Sequence, residues 1–210
     1  MALEPEVALT TDEQKVSYGF GLQFGDQLRK NHFDGMDLQA VIAGITHWFE
    51  HQQSAMSNED LNPSYQAIQA KQQAKAAEMA NARAELARQF MEANAAREEV
   101  TTTASGLQYE VLEEGSGGDK PGPTDTVVTH YHGTFVDGQV FDSSVQRGEP
   151  AEFGVSQVIP GWTEVLQLMS PGDKWRIACP PQLAYGEQGA GDSIPPNTAL
   201  VFEIHLIEVK

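Results

Sequence analysis

Ala199 to Val209 reads ALVFEIHLIEV. Leu200, Phe202, Ile204 and Leu206 alternate with their neighbours, and Ile207 follows, so the run predicts one long, half-buried β-strand. Upstream, Leu107 to Leu112, Thr126 to Tyr131 and Trp175 to Cys179 are shorter runs of β type, separated by turns rich in Gly, Pro and Asp. One helical stretch interrupts them. It follows Trp162 through Val165, Leu166, Leu168 and Met169, and Pro171 with Gly172 stops it. From the β-branched run Val100 to Thr103 onward, the chain therefore predicts an α+β domain, an antiparallel sheet closed over a short helix, spanning 101–210.

The preceding residues have another grammar. Between Thr11 and Ala55, Val16, Phe20, Phe24 and Leu28, then Leu38, Val41, Ile42, Ile45, Trp48 and Phe49, fall at helical spacing, and Asn31 to Gly35 divides them into two short helices. Such a wide apolar stripe cannot be buried within so small a block, because small domains leave too much of their surface wet. A second copy of the same block is the simplest partner, so 1–61 is expected to be a helical dimerisation module. From about Asn62 to Glu99 the chain is rich in Ala, Gln, Glu, Lys and Arg, with Pro63 near its start and Asn62 as the expected N-cap. At about 36 residues it would run roughly 55 Å. Its apolar positions, chiefly Ile68, Met79, Leu86, Phe90 and Met91, are sparse, which suits a spacer helix standing largely in solvent over 62–100.

Charge removes several classes of partner. The 210 residues carry 13 basic and 30 acidic side chains, a net charge of -17, which repels phosphate backbones and anionic lipid heads. Neither nucleic acid nor a membrane is expected as a partner, and no run approaches the about 20 apolar residues of a membrane helix. Cys179 is the single cysteine, so an intrachain disulfide and a thiolate zinc cage are excluded. The start, Met1 to Glu6, lacks a positive segment followed by an apolar core, and a cytoplasmic protein is the plain reading. An exported mature chain given a new Met would look the same.

In the C-terminal block there is no nucleophile elbow, no phosphate-cradling loop and no helix-borne pair of metal ligands. Gly19, Gly21 and Gly25 miss the dinucleotide spacing and follow no strand. What the block offers is aromatic: Tyr131, Phe141, Phe153, Trp162, Tyr185 and Phe202 occupy six separate segments. They could surround an apolar pocket or simply form the core. The stretches VTHYHG (128–133), DGQVFDSS (137–144), VIPGW (158–162), MSPGD (169–173), LAYG (183–186) and IPPNTALVF (194–202) stand in an order that resembles the FKBP-type prolyl isomerases over essentially the whole block.

That resemblance implies a pocket made of Tyr131, Phe141, Asp142, Arg147, Val158, Ile159, Trp162, Tyr185, Ile194 and Phe202. Trp162 would be its floor, the Tyr185 hydroxyl and Ile159 N–H its donors to substrate carbonyls, and Asp142 would be held by Tyr131 and Arg147. No cofactor and no metal are implied. Ala151 and Ala190 replace an aromatic and a histidine of the eukaryotic pattern, which should open the pocket edge and leaves macrolide inhibitors as ligands the family pattern admits. The helical blocks resemble the bacterial Mip-like subfamily, through Tyr18 to Gly21, Gly25, Leu28 and the domain order, and imply a homodimer. The expected activity is cis-trans isomerisation of X-Pro bonds in unfolded or partly folded proteins, with chaperone-like gripping of clients by the dimer. A non-catalytic peptide-binding or holdase module is the alternative. His130, His132 and His205 could gather around a metal, but read first as surface, and Pro195–Pro196 reads as a rigid loop.

Overall fold

The computed structural model describes residues 8–51 and 54–210; the reading of Met1 to Glu6 lies outside the described residues. Two compact units emerge, Met1–Ala74 and Lys75–Lys210.

In the first unit, α1 (Asp12–Lys30) opens with a reciprocal cap: the Thr11 hydroxyl accepts the Gln14 N–H at 3.3 Å while Gln14 Oε1 accepts the Thr11 N–H at 3.1 Å. α2 (Leu38–His51) is capped by Asp37, whose carboxylate accepts the N–H groups of Gln39 and Ala40 at 2.8 and 3.3 Å. The break between them falls where Asn31 to Gly35 placed it. No described residue of α1 or α2 is buried, and Phe20, Phe24, Trp48 and Phe49 stand 56 to 86% exposed.

Helix α3 (Asn58–Ala95) begins four residues before the expected Asn62 and ends before Glu99. Ser57 and Asp60 are the reason. Ser57 Oγ accepts the Asp60 N–H at 3.2 Å, and the Asp60 carboxylate accepts the Ser57 N–H at 3.3 Å and its hydroxyl at 2.7 Å. This reciprocal cap supplies the first turn earlier than the Asn62–Pro63 pair would, and Pro63 is carried inside the helix. Ala87 is the helix's one buried residue among those described.

The second unit is a sheet in the order β1-β2-β6-β7-β3-β4, with β5 on β3 and every pairing antiparallel. Its strands are β1 (Thr101–Thr102), β2 (Gln108–Glu113), β3 (Thr126–Phe135), β4 (Val140–Ser143), β5 (Ala151–Gly154), β6 (Lys174–Cys179) and β7 (Leu200–Val209). The alternating apolar run is β7, bonded on one side to β6 and on the other to β3. Its register slips once: Val128 faces Glu208 but Thr129 faces Leu206. Ile207 is the skipped residue, and the bulge turns it outward instead of adding it to the apolar face. β1, β4 and β5 escape the sequence reading because two to four residues show no period.

Helix α5 (Pro160–Leu166) lies against the sheet; between β4 and β5, a single turn, α4 (Ser144–Arg147), is capped by the Ser143 hydroxyl. Pro160 starts α5 because its missing N–H is one of the unpaired donors of a first turn. The helix packs so closely that a Cβ on Gly161 would meet Cys179 Sγ at 2.6 Å and the Leu183 carbonyl oxygen at 3.2 Å. Val165, Leu166 and Met169 bury fully against Leu107, Ile177, Leu200, Ile204 and Leu206, which forms one core.

Candidate active site

At one end of that core, the aromatic residues separate from the packed interior and line a cavity of about 390 Å³. Trp162, in the first turn of α5, forms its base and is 4% exposed. Three rings stand edge-on to it: Tyr131 from β3 at 5.4 Å, Phe153 from β5 at 5.5 Å and Phe202 from β7 at 5.4 Å. Phe141 from β4 stands edge-on to Phe202 at 5.6 Å. Edge-to-face contacts of this kind contribute about 0.5–1.5 kcal/mol each beyond the area they bury. Phe141, at the register shift between β3 and β4, can take its place because Gly133 on β3 has no side chain; a Cβ there would lie 2.7 Å from the Phe141 ring. Val158 and Ile159, the extended residues leading into α5, and the exposed Tyr185 complete the apolar wall.

Polar groups sit at the rim. Tyr131 donates its hydroxyl to Asp142 Oδ2 at 2.5 Å, and Arg147 donates to Asp142 Oδ1 and, at 2.9 Å, to the Tyr131 hydroxyl. The Arg147 guanidinium also lies 5.5 Å from the Tyr131 ring centroid. Burial alone would raise the Asp142 carboxyl, but the hydrogen bonds from Tyr131 and Arg147 outweigh it and hold the group below the usual carboxylate range. Burial, then the bond to Asp142, pushes the Tyr131 phenol up. Asp142 is thus an ionised acceptor whose charge is already matched. By contrast, the Tyr185 hydroxyl and the Ile159 N–H make no hydrogen bond to a described residue. The Trp162 Nε1–H is also unpartnered, at the buried base.

Of the ten residues implied by resemblance, Tyr131, Phe141, Asp142, Val158, Ile159, Trp162, Tyr185 and Phe202 line this one cavity. Arg147 stays outside the lining and acts on it through Asp142 and Tyr131. Ile194 does not line it. Two backbone bonds to Ala190 tie it into an isolated bridge, and its side chain, 4% exposed, packs in the core. Ala151 and Ala190, expected at the pocket edge, likewise pack against the core without lining the cavity.

Two lining residues were missed. Phe153 carried a signal, since it was one of the six aromatics in separate segments. Gln157 carried none: its side chain reaches the cavity by folding over Gly154, with Oε1 2.9 Å from where a Cβ would stand. His130 and His132 lie on the other face of β3, where they bond Ser144 and Ser143 at 3.1 and 3.0 Å, and His205 stands opposite His130 on β7. Among the described residues, no group of three or more His, Cys, Asp or Glu is placed to hold a metal. Burial raises the Cys179 thiol far out of reach of neutral pH.

A half-wrapped antiparallel sheet with an aromatic-lined cavity and two unengaged donors at its mouth suits a small, largely apolar ligand that carries hydrogen-bond acceptors. Comparison with known proteins agrees. Residues 117–207 match the family model described as FKBP-type peptidyl-prolyl cis-trans isomerase, and residues 13–111 match the domain amino-terminal to it. The chain is 45% identical to the FKBP-type 22 kDa peptidyl-prolyl cis-trans isomerase of Escherichia coli, over 95% of its own length and 96% of that protein's. It is 39% identical to the outer membrane protein MIP of Legionella longbeachae, over 100% of this chain and 91% of the other. The crystal structure of FkpA from Escherichia coli superposes with a TM-score of 0.71 at 36% identity, covering 97% of this chain and 99% of that one. The chain belongs to the FKBP-type peptidyl-prolyl cis-trans isomerase family, and it is an enzyme that interconverts the cis and trans forms of X-Pro bonds.

Proposed function

We propose that Trp162 is the floor on which the proline ring rests, that Tyr131, Phe141, Phe202, Val158 and Ile159 wall it, and that the Tyr185 hydroxyl and Ile159 N–H bind the flanking carbonyls. The cavity with three rings edge-on to Trp162 and two unengaged donors at its mouth carries this reading. Rotation about an X-Pro bond meets a barrier near 18–20 kcal/mol because twisting breaks amide resonance. The planar amide is the more polar form. A pocket that excludes water therefore favours the twisted one, and interactions stronger in the twisted state than in the ground state accelerate the exchange. No bond is cleaved and no proton moves, so Asp142 serves as an acceptor that positions Tyr131.

The test is exchange spectroscopy on an Ala-Pro tetrapeptide with Phe141→Ala and Tyr185→Phe. Phe141→Ala opens the wall to water and is expected to lower kcat/KM by about 100-fold, a few kcal/mol of lost transition-state binding. Both variants at full activity would show that the exchange happens elsewhere.

The exposed aromatic residues of α1 and α2 support a second element of the proposal, a homodimer formed by two copies of this module, which grips unfolded clients. Linking two pockets in one particle raises the local concentration of the second once the first is filled. A cytoplasmic location also enters as a proposal. Fractionation of cells expressing the chain from its own locus tests it, and recovery with the envelope would overturn it.

A further inference from the structure

The cavity that holds the aromatic rings is not alone in the second unit. A groove of about 610 Å³ runs between the last turns of α3 and the sheet domain, entirely within the second unit. One wall is a face of α3 bearing Ala84, Ala87, Met91 and Ala95, spaced three and four apart so that small side chains leave room along it. The other is Pro180, Pro181 and the loop at Gly186 and Glu187. The helix is not free to close the groove. Gln108, 4% exposed on β2, donates to the Met91 carbonyl at 2.8 Å and accepts from Asn94 at 2.8 Å, which pins the end of α3 to the sheet.

Three features fix what this groove takes. First, it neighbours the aromatic cavity along the chain: Tyr185 lines the cavity and the next residues, Gly186 and Glu187, line the groove. Gly186 is held there by its N–H to the Pro181 carbonyl at 2.8 Å and its carbonyl to the Asn197 N–H at 2.9 Å. Second, Thr102 brings β1 to the groove, and β1 ends the sheet order, so its outer edge is unpaired and open to an extended chain. Third, the charges are nearly matched. Arg88 is paired with Glu85 and Glu92 at 2.6 and 2.5 Å, and Glu187 alone of the lining carboxylates has no partner among the described residues. Apolar small residues, neutral amides from Gln182 and Asn197, and one free carboxylate suit an extended, neutral or cationic polypeptide and repel an acidic one.

We infer that the groove is a second subsite for the client chain: it receives the extended segment flanking the proline while the proline occupies the aromatic cavity. The inference rests on the proposed place of the proline only for its direction of approach. An extended chain covers roughly 3.3–3.6 Å per residue, so a flank of about ten residues is long enough to reach along it. The consequence is that long unfolded clients bind more tightly than tetrapeptides at a single catalytic domain, independent of the dimer.

The experiment uses the full chain and three synthetic substrates: an Ala-Pro tetrapeptide, and the same core extended by about ten neutral residues on its N- or C-terminal side. Ala84→Trp and Ala95→Trp fill the groove from the helix side without touching the cavity. In the unaltered protein, one extension is expected to lower KM by roughly ten-fold, and both variants to abolish that gain while keeping tetrapeptide kcat/KM within about two-fold. That retained activity also shows that the variants fold. Equal KM for all three substrates, or a gain that survives both fillings, would overturn the inference. Fluorescence anisotropy of the extended flank with its proline replaced by alanine separates the two proposals: its Kd should weaken roughly five-fold in the filled variants. That loss would stand even if the tetrapeptide assay displaced the proline from the aromatic cavity, and an unchanged Kd would sink the groove alone.

Discussion

Asp142 lines the cavity with its charge already matched by Tyr131 and Arg147, and this decides how the enzyme should respond to pH. Its carboxyl is held below the ordinary carboxylate value, so the folded state gains stability from it above the unfolded value near 3.9 and loses it only as pH falls through the lower folded one. The Tyr131 phenol is raised, and the stability tied to its protonated form persists below about 10 and is lost above. Neither group changes state between pH 5.5 and 8.5. The kcat/KM for a tetrapeptide is therefore expected to stay within about two-fold across that range, and a bell centred near neutrality would mean that a proton is transferred after all. Tyr185 makes a separate prediction. Its hydroxyl has no partner among the described residues, so Tyr185→Phe removes one substrate hydrogen bond and should cost roughly three- to ten-fold in kcat/KM, with the urea midpoint unchanged.

At the scale of elements, the position of α5 sets the cavity, and Gly161 sets the position of α5. An alanine there gains about 1 kcal/mol of helix propensity but drives its methyl into Cys179 Sγ and the Leu183 carbonyl. Because the thiol is fully buried and the carbonyl is backbone, the clash wins, and Gly161→Ala is expected to lower stability by about 1–3 kcal/mol in urea unfolding. Cys179→Ala in the same chain relieves the closest contact. A double-variant cycle should thus show part of the loss recovered; strict additivity would mean that the sulfur is not what α5 rests on.

For the whole molecule, the faces of α1 and α2 make the prediction. Phe20 and Trp48 are 58 and 65% exposed in the single chain, an arrangement water penalises unless another surface covers it. Light scattering is expected to give twice the chain mass for the unaltered protein and the chain mass for Phe20→Glu with Trp48→Glu. Tetrapeptide kcat/KM per chain should be unaffected, because every residue lining the catalytic cavity lies in the second unit. Persistence of the dimer in the double variant would place the interface on another face.

Periodicity alone carried the long elements: the 10 residues of β7 and the 19 of α1 show their spacing because each repeats its apolar positions several times. The six aromatic residues stood out only as lying in separate segments, and the ordered motifs linked most of them to one pocket. Short pieces stayed silent, since the two residues of β1 and the four each of β4 and β5 complete no period and are held only by their neighbours. Tertiary packing chose which rings and loops reach the cavity: it drew Phe153 and Gln157 in, turned Ile194 into the core through its bridge to Ala190, and pinned α3 through Gln108 to leave a groove beside Tyr185. Local spacing says which face of an element is apolar, but where two faces fail to close completely depends on contacts between residues far apart in the chain.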